Sequence, residues 1–142
     1  MTSTSGISIK AVLAGVAIDI GGTFLAGALF TVIYTAVLMS QGVSSQDELR
    51  QRMLTDQSFY VASLVLGTGF LVGGAFAAAR IARAREIAHA GLVGAVAMVI
   101  GALIVFVDTS MYPSWYIPVS FSMTPPVALL TGYVARRFAK PR

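Results

Sequence analysis

The chain has 142 residues, of which 56% are hydrophobic and 11% charged, with a formal net charge of +4. A water-soluble domain needs roughly 25% charged residues to cover its surface, so a water-facing globule is excluded. There is no cysteine and a single histidine, His89, which excludes disulfides, thiolate metal sites, cysteine nucleophiles and a multi-histidine metal centre within one chain.

The first apolar block runs from about 11 to 39. A helix needs about 20 apolar residues to cross a ~30 Å hydrocarbon layer, so this block is over-long and is expected to tilt or protrude. Ala26-Gly27-Ala28 imitates a signal cleavage site, yet the apolar run continues eleven residues further. A signal core spans only about 7–15 residues, so the block reads as a retained span.

Asp19 sits inside this block, within GVAIDIGGTF. It lies nine residues past Lys10, about 13 Å along a helix axis and near mid-bilayer. An ionised carboxylate facing lipid there costs at least about 2.5 kcal/mol. It must therefore face the bundle, carry a proton or find donors. Thr23 lies one turn on, and Gly21 and Gly22 would let another helix bring up Ser63, Thr68 or Thr124. The preferred reading is a protonated or hydrogen-bonded aspartate that joins helices; the rival is a proton- or cation-linked site.

Ser44-Ser45-Gln46-Asp47-Glu48 carries a capping box, with Ser45 as N-cap and Glu48 three residues on. It predicts a short outer amphipathic helix over about 45–55, with Leu49 and Met53 on one face.

The second span is expected over about 59–79. Gly69 and Gly73 form GxxxG, and Gly74 and Ala77 extend the small residues. Such stripes let helix backbones touch where lipid offers no hydrophobic drive; packing within the chain is the first expectation, a second protomer the other. The third span, about 87–107, begins near His89, which reads as a wet interfacial side chain. The following loop, DTSMYPSWYIP, holds Tyr112, Trp115 and Tyr116, rings suited to the headgroup boundary. The fourth span, about 116–135, contains Pro125-Pro126, predicted to kink it, with Ser122 and Thr124 answering the freed carbonyls.

Charge then orients the chain. Lys10, Arg80, Arg83, Arg85, Arg136, Arg137, Lys140 and Arg142 all flank one membrane face, eight of the ten basic residues. Only Arg50 and Arg52, with Asp47, Glu48, Asp56 and Asp108, flank the other. The positive-inside rule puts both termini in the cytoplasm. The basic residues are thus a topology signal and a contact for anionic headgroups, and nucleic-acid binding is set aside.

The expected fold is all-α: residues 1–142 as one four-helix integral membrane bundle. A weak repeat, Val16–Gly22 with Val96–Ala102 and Gly74–Ala77 with Gly132–Ala135, suggests parallel duplication of a helical hairpin.

Asp19-Ile20-Gly21-Gly22-Thr23, then Gly73-Gly74-Ala75-Phe76-Ala77-Ala78-Ala79-Arg80, then His89 and Gly94 resemble a family of small, uncharacterised four-span bacterial membrane proteins. The resemblance implies this topology and no activity. The function expected is structural, or that of an accessory subunit acting by helix packing, in a bacterial inner membrane. The alternative is a small oligomeric proton-coupled transporter or channel using Asp19. No catalytic constellation, cofactor or metal site is drawn; the expected partners are lipid and a homo-oligomer or larger membrane complex.

Overall fold

The computed structural model describes residues 6–107 and 112–138; Asp108, Lys140 and Arg142 lie outside the described residues. Helix α1 (Ile9–Val16) passes through one π-helical turn (Ala17–Gly21) into α2 (Gly22–Ser40). The surface helix α3 (Gln46–Thr55) follows, then α4 (Gln57–Ala82), α5 (Glu86–Val107) and α6 (Tyr116–Arg137). Among the described residues there is no strand. Four helices are long and apolar enough to cross a membrane: Ile9–Ser40, Gln57–Ala82, Glu86–Val107 and Tyr116–Arg137. The chain is therefore a multi-pass, all-α membrane protein.

The local signals act as their chemistry requires. Ser45 Oγ accepts from the Glu48 N–H at 3.1 Å and starts α3. Leu49 and Met53 are half-buried along its inner face. Asp56 caps α4 by accepting from the Ser58 N–H at 2.8 Å. It also accepts from the Tyr34 hydroxyl on α2, which ties the far end of the long first span to the start of the second.

That tie is pH-sensitive. The Tyr34 hydrogen bond holds the Asp56 carboxyl below its ordinary range. A depressed folded-state pKa adds stability above the unfolded value of about 3.9, and that stability is lost as pH falls through the folded value. Tyr34→Phe should therefore lower the melting temperature at pH 6 and have a shrinking effect as pH approaches 3. The measurement is the gap between wild-type and variant melting curves across that range.

Two hydrogen bonds fix the helix directions. The Ser8 N–H donates to His89 Nε2 at 2.8 Å, and Arg80 Nη1 donates to the Phe138 carbonyl at 2.9 Å. The starts of α1 and α5 and the ends of α4 and α6 thus share one end of the bundle. Lys10, Arg80, Arg83, Arg85, Arg136 and Arg137 all belong to this basic end.

Near it the core is built from very small side chains. Ala11, Gly15, Gly74, Ala75, Ala78, Ala79, Ala90, Gly94, Ala128, Gly132 and Ala135 are buried, around Leu71 and Val93. A Cβ added at Gly15 would lie 2.6 Å from the Gly74 carbonyl oxygen, and one added at Gly94 would lie 2.7 Å from Ala128 Cβ. Backbones therefore touch, which is how helices associate where the surroundings are as apolar as the side chains.

Toward the opposite end the spacers grow. α2 meets α4 through Phe30 stacked on Phe59 (5.3 Å between ring centroids) and Tyr34 tilted against Phe59 (4.9 Å). Helices held apart by glycine at one end and by aromatic rings at the other must diverge. The first span, 32 residues and hence about 48 Å long, exposes Leu25, Leu29, Val32 and Ile33 along its α2 half. It projects beyond the tight core, in keeping with its excess length.

Candidate functional site

The gap left by this divergence is a cavity of about 590 Å³ between the first span, α4, α5 and α6. Phe59, Tyr60, Tyr112 and Tyr116 line it at the end away from the basic residues. Its other extreme is lined by Asp19, in the π-helical turn where α1 meets α4.

The sequence explains why that turn is irregular. Asp19, Gly21 and Gly22 are all weak helix formers, and Gly74 presses close by: a Cβ there would meet the Gly15 carbonyl and stand 3.0 Å from Asp19 Cβ. Wider π-helical turns recur at functional sites.

Asp19 is 5% exposed, and its Oδ2 has no hydrogen-bond partner among the described residues. The four-residue polar set read from sequence (Asp19, Thr23, Thr68, Thr124) does gather on one cavity, joined by Ser63 and Ser120. What differs is the bonding. The Ser63 hydroxyl donates to the Phe59 carbonyl at 2.8 Å, Ser120 to Ile117 at 3.0 Å and Thr124 to Ser120 at 2.8 Å. These hydroxyl protons are spent on their own helices rather than on Asp19.

Three expectations about packing need correcting. Gly69 and Gly73 do not make the intrachain contact: a Cβ at Gly69 would meet nothing within 4 Å, and one at Gly73 would only reach Ile18 Cγ2 at 3.8 Å. The close approach belongs to Gly74, with Ala78 below it, while Ala77 is half-buried. In the first span Gly22 packs against the Phe70 ring, whereas a Cβ at Gly21 would enter open space.

The fourth span runs helically through Pro125 and Pro126. Lacking N–H groups, they deprive the Phe121 and Ser122 carbonyls of their i+4 donors. The neighbouring hydroxyls do not replace those donors. Ser122 bonds the Pro118 carbonyl at 2.7 Å, and Thr124 bonds that of Ser120.

His89 is the residue that sequence reasoning placed wrongly. It is fully buried rather than wet. Nε2 accepts from the Ser8 N–H, and Nδ1 stands 3.0 Å from the Arg85 carbonyl, to which it donates. The ring thus fastens the start of α1 to the start of α5. No local signal reveals this, because Ser8 is 81 residues away.

Among the described residues no group of three or more His, Asp or Glu side chains could hold a metal ion. The described residues lining the cavity include no lysine, arginine or histidine. Among the described residues the site therefore brings together one acid, the hydroxyls of Thr23, Ser63, Thr68, Ser120 and Thr124, and aromatic walls. Compared with protein-family models, curated proteins and solved structures, the chain matches none.

Proposed function

We propose that this chain is a small oligomeric transporter or channel of a bacterial inner membrane, in which Asp19 exchanges a proton or cation. One observation carries the reading: Asp19, nine-tenths buried and with its Oδ2 unpartnered among the described residues, lines a cavity within the spans. Intramembrane acids are rare because they are expensive, and a partnerless one has no structural return. Four spans are few for a transport path, so the working unit is a homo-oligomer. Clustering of basic residues at the end holding Ser8 and Phe138 supports cytoplasmic termini. Parallel hairpin duplication is retained as part of the reading, supported by Gly74 packing on the first span and Gly132 on α5, the long helix before each.

The proton claim is tested by infrared difference spectroscopy on the purified chain in lipid. Wild type should show a protonated-carboxyl band that titrates with pH and vanishes in Asp19→Asn. In proteoliposomes the same substitution should abolish pH-dependent uptake with expression unchanged. The other titratable groups on the cavity are Tyr60, Tyr112 and Tyr116, whose phenols give no carboxyl band. A band that Asp19→Asn leaves intact would overturn the reading.

The accessory-subunit role keeps one observation in its favour. Gly69 and Gly73 face outward with no intrachain neighbour close by, a face another helix could use. Isolation from native membranes in a stoichiometric complex with a different protein would move the conclusion there.

A further inference from the structure

Building on the proposed role of Asp19, we infer that the cavity binds a small organic ammonium with an apolar, ring-bearing body. Three independent features define that chemistry.

The first is charge. Among the described residues Asp19 is the one carboxyl on the cavity, and no basic side chain lines it. In a low-dielectric setting an uncompensated acid favours a cation strongly, and an anion would meet only repulsion.

The second is hydrogen-bond polarity. With the protons of Ser63, Ser120 and Thr124 committed to backbone carbonyls, their oxygens are left as acceptors. The two prolines strip donors from the Phe121 and Ser122 carbonyls as well, and Phe121 itself lines the cavity. These acceptor oxygens, together with the Asp19 carboxyl, are complementary to a donor such as an –NH₃⁺ group.

The third is size and walls. A bare metal ion would occupy a small corner of 590 Å³, a volume in the range of drug-sized ligands. The remaining wall is apolar. Toward the far end, rings follow one another from Phe59 to Tyr60 (5.4 Å), Tyr60 to Tyr116 (5.4 Å) and Tyr116 to Tyr112 (5.5 Å). Their faces attract a cation on its way in, and the basic residues stand at the opposite end of the bundle. The ammonium then sits at Asp19 and the apolar body fills the gap between α2, α4 and α6.

The test uses the full chain in detergent micelles, with empty micelles subtracted, and three probes of one shape: 3,3-diphenylpropylammonium, 3,3-diphenylpropan-1-ol and 3,3-diphenylpropanoate. The ammonium should bind saturably. The alcohol should bind at least tenfold more weakly, and the carboxylate should not bind measurably. Asp19→Asn should weaken ammonium binding at least tenfold. Gly27→Leu is the second variant: Gly27 lines the cavity, and a Cβ there meets nothing within 4 Å. It should block binding while the melting temperature holds. Equal binding of ammonium and alcohol, or equal binding by wild type and Asp19→Asn, overturns the inference. If the Asp19 carboxyl band titrates yet no ammonium binds, the ligand class is wrong and the role of Asp19 survives. If neither is seen, both fall.

Discussion

Gly74→Leu should abolish a well-folded bundle, whereas Gly69→Leu should leave it intact. The two glycines share a helix and lie five residues apart, so composition and propensity predict the same small effect for both. Their surroundings differ. A Cβ at Gly74 runs into the carbonyl oxygen of Gly15 and approaches the Asp19 backbone nitrogen at 3.2 Å. Neither is the far end of a flexible side chain, so the strain must be relieved by parting α1 from α4. Overpacking of this kind costs about 3 kcal/mol, and it also breaks the layer that seats Ala78 against Val93. At Gly69 the new side chain enters open space and removes a glycine from a helix interior, a gain of up to about 1 kcal/mol. Size-exclusion profiles in detergent and melting curves followed by Trp115 fluorescence distinguish the two. A monodisperse Gly74→Leu protein melting with wild type would refute the glycine contact as the centre of the fold.

The contrast between these glycines also shows how far a sequence of this kind can be read. Where spans were expected over 59–79, 87–107 and 116–135, helices Gln57–Ala82, Glu86–Val107 and Tyr116–Arg137 are long and apolar enough to cross a membrane, because length against bilayer thickness is a strong constraint. The Ser45 cap was legible because its partner lies three residues away. Faces were not. In water a helix announces its inner side by a change in polarity, but here Leu25 and Leu29 are exposed and as apolar as buried Leu71 and Val93. With no polarity contrast, the spacing that marks Gly69 and Gly73 cannot be told from the register that matters, one residue later. His89 failed for the opposite reason: its type signals water, while its actual partner is a backbone N–H at Ser8.

Around Asp19 the sequence supplied the members of the site without its logic. Thr23, Ser63, Thr68 and Thr124 do surround the same space as the acid. Which way the hydroxyl protons point is a three-dimensional fact that residue spacing does not carry. Seryl and threonyl side chains in helices readily bond the carbonyl one turn back, and here they do so at Ser63, Ser120 and Thr124. Once those protons are spent, Ser63, Ser120 and Thr124 cease to be donors for an aspartate, and their oxygens stand beside it as acceptors.

Asp19→Leu should therefore make the protein more stable and inactive at once. Leucine keeps the γ-branch of aspartate, and the adjoining cavity has room for its methyl groups. Replacing an acid held in hydrocarbon with an apolar side chain recovers about 2–3 kcal/mol on insertion scales, less whatever interactions the carboxyl makes. Because Oδ2 makes no hydrogen bond, that deduction is small. An aspartate that glued the helices would give the reverse: removing one partner of a buried network leaves the others unsatisfied and costs about 1–3 kcal/mol. The sign of the change in unfolding free energy in detergent thus separates the two roles without reference to any ligand. A gain in stability together with loss of the titrating carboxyl band is the pattern of a residue kept at a cost for what it binds. A loss of stability would return Asp19 to helix packing and leave the cavity without its anchor.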